Sequence, residues 1–305
     1  MSLSWKRLAS MASLALGLLG VEAASAATSE VLVKAGTSGL AVDTLVVLPD
    51  AARNESLPIL FMQHGFMLSQ TYYRDLFSQI ADQGFVVVAP QAYKAGGLPF
   101  GKPSAAVEAK TVASAIDWSI ANLSDEIDQN IDFNRLGLVN HSRGSKVAWM
   151  MVRDNLVKAK AIAAIDPVDG SQDGTGRVTG SFSLPLPALI VGTGLGGNGG
   201  GIFSPACAPK SDNYESYYTA TNNRTWLMVA EDYGHLDFID SNTNCGMVCN
   251  VCSSGAKTNP TDDFRTFLAQ TIGQFMTGVL HNQDGLLSDL EDQSLAPIRV
   301  SVRTK

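Results

Sequence analysis

Apolar residues in this chain fall in short unbroken runs, and between the runs lie longer stretches with one apolar face. The runs are 58–63, 85–89, 136–139, 161–165, 186–191 and 225–230. Residues 76–81, 105–123, 146–157 and 262–280 instead space their apolar positions three and four apart, the period of an amphipathic helix. A strand with no polar side has both faces covered. Such strands alternating with one-sided helices predict an α/β fold, a mostly parallel sheet with helices on both faces. Two alternating stretches, 30–33 and 40–48, come first and predict an antiparallel hairpin turning at Gly36 and Gly39. No segment repeats at a solenoid period.

The periodic pattern ends at residue 281, so one domain is expected over 28–281, with 282–305, polar and containing Pro297, as a surface tail. Gly/Ser-rich stretches at 96–104 and 169–183 follow strand ends, where α/β sheets place ligands. Residues 1–27 carry Lys6 and Arg7, an apolar core over 11–21 and Ala24-Ser25-Ala26-Ala27, the plan of a secretory signal peptide. The apolar core is too short to span a bilayer, which takes about 20 residues of helix. Secretion, or delivery to the ER lumen or periplasm, is therefore expected. A plastid transit peptide is the alternative, since the segment is also rich in Ser and Ala with one acid.

The formal net charge is −7, and loss of residues 1–26 takes two basic residues and one acidic one, leaving 20 − 28 = −8. That sign lacks the basic footprint of a phosphate-binding surface, so no nucleic-acid partner is expected. No stable membrane span is expected either. Cys207, Cys245, Cys249 and Cys252 follow the leader, and an even count behind a signal peptide points to disulfides, with three pairings open. Cys249-x-x-Cys252 has zinc-ligand spacing but no second pair or nearby His. Asn54, Asn122 and Asn223 head glycosylation sequons.

Chemistry concentrates at Asn140-His141-Ser142-Arg143-Gly144, where an apolar strand stops and a helix starts at once. A serine on so sharp a turn projects its hydroxyl above the sheet, as in the G-x-S-x-G nucleophile elbow. Ser142 is the candidate nucleophile, although a helix-capping serine would fit the same position. A serine needs a base, and the base needs an acid that fixes its tautomer. His235, in Asp232-Tyr-Gly-His-Leu-Asp237 just after run 225–230, is the candidate base. His281 ends the last helix and is expected to be solvated. The loop after 186–191 contains no carboxylate, whereas run 161–165 leads directly into Asp166-Pro-Val-Asp169, so Asp166 is the candidate acid and Asp169 the second choice.

A tetrahedral intermediate also needs two N–H donors. The Arg143 backbone is one candidate. The other is Phe66, in Gln63-His64-Gly65-Phe66, which leaves the first parallel run. Met67, Leu68 and Phe100 are candidate linings of an apolar groove beside it. Gly192-Thr-Gly194-Leu-Gly-Gly197 matches the dinucleotide fingerprint G-x-G-x-x-G, but more Gly and two Pro follow it where a helix should open.

With these residues in place the chain resembles the chlorophyllase family of α/β-hydrolases over about 56–281. The resemblance rests on the block ending Gln63-His-Gly-Phe66, on Gly84-Phe-Val-Val-Val-Ala-Pro-Gln91, on His141-Ser-Arg-Gly144 and on Ile165-Asp-Pro-Val168. It continues through Val191-Gly-Thr-Gly-Leu-Gly196, Cys207-Ala-Pro209 and Asp232-Tyr-Gly-His-Leu-Asp237. Where the family's elbow begins and ends with Gly, this chain has Asn140 and Ser145. The resemblance implies an α/β-hydrolase fold and hydrolysis of the phytyl ester of chlorophyll to chlorophyllide and phytol. It implies Ser142, Asp166 and His235 as the triad, neither metal nor cofactor, and as partner a small apolar ester, chlorophyll-like, with peripheral contact to a membrane surface or lipid. The rival expectations are a secreted lipase, esterase or polyesterase on the same fold, and a catalytically silent binding module.

Overall fold

The computed structural model describes residues 28–50, 55–98, 100–170, 173–199, 205–241, 243 and 251–305. The leader 1–27, Asn54, Cys245 and Cys249 lie outside the described residues. One nine-stranded sheet organises the rest, in the order β1-β2-β4-β3-β5-β6-β7-β8-β9. Its parallel centre comprises β3 (Leu57–Gln63), β4 (Val86–Pro90), β5 (Ile131–His141), β6 (Ala161–Ile165), β7 (Ala188–Thr193) and β8 (Thr225–Ala230). The expected hairpin is β1 (Thr28–Val33) with β2 (Thr44–Pro49), and β2 closes one edge antiparallel to β4.

Alternate residues of each central strand enter two separate cores. Ile59 and Phe61 of β3 pack on one face with α2 (Ala105–Glu126) and α3 (Arg143–Arg153). Leu60 and Met62 pack on the other with α1 (Arg74–Ala81) and α5 (Thr261–Leu280). This two-sided burial is the physical reason for the unbroken apolar runs. Chain order reverses at β3: the next strand, β4, lies on one side of it and β5 on the other. Carboxyl ends of strands at such a switch point line a crevice, and here those ends are Gln63 and His141.

Residues 282–305 are not a tail lying loosely on the surface. They form α6 (Asp284–Asp289) and β9 (Val300–Thr304), which pairs antiparallel with β8. The pattern of β9 is only half apolar because it is an edge strand with exposed Ser301, Arg303 and Thr304, so it lacks the signature of the central runs. Helix α3 begins at Arg143 rather than three residues later and stops at Arg153 ahead of Asn155, which takes a positive φ of 53°.

Cys207 is bonded to Cys252, closing a sequence separation of 45 residues. Cys252 is therefore not half of a zinc pair with Cys249. The bond ties the insert after β7 to the segment after His235, where Gly255 packs so tightly that a Cβ would stand 1.8 Å from the Asp232 carbonyl oxygen. Replacing both Cys207 and Cys252 by Ser removes the cross-link from the unfolded chain and is expected to cost about 2–4 kcal/mol. Thermal unfolding with and without the substitutions measures it; equal melting temperatures would contradict the assignment.

Candidate active site

Ser142 is held at φ 55°, ψ −128°, a strained conformation for a residue with a side chain. It persists because backbone contacts over-determine it: Ser142 N–H donates to the Ile165 carbonyl, and its own carbonyl accepts from Ser145 and Val168. Two residues on, the chain runs against the end of β3, and a Cβ on Gly144 would stand 2.4 Å from the Gln63 carbonyl oxygen and 2.7 Å from that of His64. Gly is the residue that fits there. Asn140 occupies the earlier position fully buried, its amide 3.4 Å from the Ala163 carbonyl, and the turn forms with it in place. Met67 and Asp166 also have positive φ, 63° and 36°, so three of the six such non-glycine residues among the described residues are Ser142, its acid partner and a residue of the loop after β3. Strain of this sort costs about 1–3 kcal/mol per residue and gathers at functional sites.

The structure brings Ser142, His235 and Asp166 into one hydrogen-bonded line. Ser142 Oγ lies 2.9 Å from His235 Nε2, and His235 Nδ1 lies 2.6 Å from Asp166 Oδ2. A carboxylate accepts only, so Nδ1 carries the ring proton and Nε2 is free to accept from the serine. Asp166 is fully buried and held further by the Thr193 N–H on Oδ1 and the Thr193 hydroxyl on Oδ2, both at 2.9 Å. Thr193 escapes sequence reasoning, yet it is the second residue of the glycine-rich match. The glycines around it serve close packing: a Cβ on Gly196 would stand 2.5 Å from Asp166 Oδ2. Asp169, the second choice for the acid, instead accepts from the backbones of Val178 and Thr179 and from the Thr179 hydroxyl, which orders the following loop.

The loop after β3 is pinned by side chains that the sequence pattern does not reveal. Gly65 N–H donates to the Tyr73 hydroxyl at 3.1 Å, Met67 N–H to the Tyr93 hydroxyl at 3.0 Å, and Gln70 N–H to Gln91 at 2.9 Å. Neither Phe66 nor Arg143 N–H donates to a protein acceptor among the described residues. The Tyr73 hydroxyl also lies 2.9 Å from His141 Nδ1, and His141 Nε2 lies 3.1 Å from the His235 carbonyl. A carbonyl only accepts, so His141 is the Nε2–H tautomer and receives the tyrosine proton on Nδ1. Burial, with the neighbouring His235 as a lesser cause, pushes His141 well below the usual imidazole range and keeps it neutral.

His64 is buried and pushed down to about 4, with Nδ1 at 2.9 Å from the Gly65 carbonyl and Nε2 at 3.1 Å from the Gln91 amide. Leu68 does not line a groove: it is buried in the core with Tyr73 and Phe77, because the turn at Met67 points it inward. Phe100 is 86% exposed, and Phe66 is half-buried with the Arg143 guanidinium 4.8 Å from its ring centre. His281 caps α5 beside Arg135, remote from this line of contacts.

A switch-point crevice, a strained serine between a parallel strand and its helix, and a mostly parallel sheet flanked by helices define the α/β-hydrolase fold. The sequence profile of the chlorophyllase family matches residues 22–305, so the chain belongs to the chlorophyllase family. It is 28% identical to Chlorophyllase-2 of Arabidopsis thaliana over 267 residues, covering 81% of this chain and 80% of that protein. Against the "Chlorophyllase-1, chloroplastic" proteins of Citrus sinensis and Citrus unshiu the identities are 30% and 31%, each covering 84% of this chain and 78% of the relative.

Removing the Tyr73 hydroxyl strands two buried groups at once, Gly65 N–H and His141 Nδ1. Tyr73→Phe is expected to lose about 2–6 kcal/mol of stability, since each of the two stranded groups costs about 1–3 kcal/mol. Urea unfolding at constant m-value measures it, and an unchanged midpoint would contradict the bridge.

Proposed function

We propose that the chain is a serine carboxylic-ester hydrolase of chlorophyllase type, cleaving the phytyl ester of chlorophyll to chlorophyllide and phytol. The observation that carries the proposal is the continuous line Ser142–His235–Asp166, at 2.9 and 2.6 Å, beside two backbone N–H groups with no acceptor among the described residues. Membership of the chlorophyllase family supports the substrate.

In this mechanism Ser142 Oγ attacks the ester carbonyl while His235 Nε2 takes its proton. Asp166, fixed by Thr193, holds the imidazole in the tautomer that can accept and stabilises the imidazolium that forms. The carbonyl oxygen gathers negative charge, which the Phe66 and Arg143 N–H groups receive without having to reorganise. Collapse expels the alcohol, which carries the proton back from His235. Water then repeats the sequence on the acyl-enzyme and releases the acid, so the balance needs nothing but ester and water. Phe66 and Met67, on the loop after β3, are the apolar side chains proposed to receive the hydrocarbon part of the ester.

No helix among the described residues is long and apolar enough to cross a membrane. Contact of this enzyme with membrane-held pigment would then be peripheral. The names of the two Citrus relatives include "chloroplastic", which supports a plastid destination over the secretory one.

Ser142→Ala is expected to lower kcat for chlorophyllide release by at least about 10⁴-fold, the scale of losing a triad nucleophile, with the melting temperature preserved. Chromatographic quantitation of chlorophyllide measures it. Turnover close to wild type would refute the mechanism. Rapid cleavage of p-nitrophenyl esters with no chlorophyllide formed would transfer the same chemistry to another ester.

A further inference from the structure

Arg143 supplies one of the two N–H groups assigned to the oxyanion, and its side chain reaches back to the residue that supplies the other. The guanidinium lies 4.8 Å from the Phe66 ring centre, a cation–π contact. The guanidinium is itself anchored. Its Nε is 3.2 Å from Glu108 Oε2, its Nη2 is 3.4 Å from Asp173 Oδ2, and Nη2 also donates to the Pro103 carbonyl. Glu108 stands on the first turn of α2 and is 1% exposed. Its Oε1 accepts from the Gln63 side chain at 2.8 Å, and Gln63 is the last residue of β3, just before the Phe66 loop. One buried carboxylate therefore joins the end of β3, the start of α2 and the first residue of α3.

We propose that Glu108 and the Arg143 side chain are a positioning pair for the oxyanion hole, holding Phe66 so that its N–H and that of Arg143 stay aimed at one point. The inference rests on the serine-hydrolase assignment made above. A buried carboxylate facing a partly buried cation is costly to keep. Removing the Arg143 charge leaves Glu108 without its counter-ion, and nothing in the architecture of the sheet requires charge at this place.

The neighbourhood also fixes how the pair responds to acid. Besides Arg143 and Gln63, Glu108 feels Asp173 and Tyr93. Burial works to raise the Asp173 carboxyl, but hydrogen bonds from Thr175 and Ala105 hold it at about 2. Lys146 donates to the Gly170 carbonyl and lies 3.6 Å from Asp173, and burial lowers it. Tyr93 is raised by burial first and by the Glu108 charge second, and His64 is held neutral at about 4. Burial lifts Glu108 to about 7 against the pull of Arg143 and Gln63. Of these groups Glu108 is the one that gains a proton as pH falls through neutrality, and its protonation removes the negative charge beside the Arg143 Nε.

The test compares wild type, Arg143→Lys and Glu108→Gln in p-nitrophenyl butyrate hydrolysis across the acid limb, with fluorophosphonate labelling of Ser142 and a melting curve for each protein. Arg143→Lys keeps the backbone N–H and the charge but loses the planar face. It is expected to lower kcat by about 10–100-fold with KM within about 2-fold, less than the 10²–10³ of deleting a donor outright. Glu108→Gln is expected to lower kcat at alkaline pH in the same way and to lose one proton from the acid limb of log(kcat/KM). A wild-type kcat in Arg143→Lys overturns the pair, as does an unchanged acid limb in a folded Glu108→Gln. If Glu108→Gln fails to fold, Arg143→Lys decides alone. A wild-type protein that neither labels nor turns over ester overturns the serine-hydrolase assignment and the pair with it, whereas a labelled, active wild type with indifferent variants overturns the pair alone.

Discussion

The close approach of Gly144 to the Gln63 and His64 carbonyls is the constraint on which the site depends. Because the backbone entering α3 touches the backbone leaving β3, the serine and the Phe66 loop cannot be placed independently. The same contact stabilises a Ser142 conformation that is unfavourable alone, with the hydrogen bonds to Ile165 and Val168 sharing the work. It also lets a single side chain, Arg143, touch Phe66. The sheet order supplies the rest, because the reversal at β3 opens the crevice where the ends of β3 and β5 lie side by side.

Around that contact the polar groups form two networks with opposite electrostatic character. One is neutral: Gly65, Tyr73, His141 and the His235 carbonyl are joined by hydrogen bonds, with burial keeping His141 uncharged beside His235. In the proposed mechanism a cation there would oppose the imidazolium on His235. The other network is ionic: Glu108, Arg143, Asp173 and Lys146 pair two acids with two bases under the oxyanion loop. Neutral bonds fix the His235 side of the site, and paired charges fix the side of Phe66 and Arg143, the proposed oxyanion donors.

Much of this is legible in the sequence where a residue's job is set by local geometry. Unbroken apolar runs mark strands buried on both faces, and Asn140-His-Ser-Arg-Gly144 marks a strand that must turn at once into a helix. Asp166 is legible because the rival stretch 192–201 has no acid. Positions set by packing across long sequence distances leave no pattern. Tyr73 and Tyr93 look like ordinary helix or loop residues until the fold brings their hydroxyls to the loop after β3, as does Glu108 until it meets Gln63 and Arg143, and Thr193 hides among glycines. Strand β9 is missed because an edge strand with solvent on one side need not be apolar, and Leu68 is misplaced because the positive φ at Met67 turns it into the core.

The central claim is that two backbone N–H groups and one serine meet a single reacting carbonyl. A crystal structure of the fluorophosphonate adduct tests it directly, since the phosphonyl oxygen stands where the oxyanion would. The account predicts a covalent bond to Ser142 Oγ with that oxygen about 2.7–3.1 Å from both the Phe66 and Arg143 nitrogens. An adduct on another residue, or an oxygen turned to solvent away from both nitrogens, would contradict it.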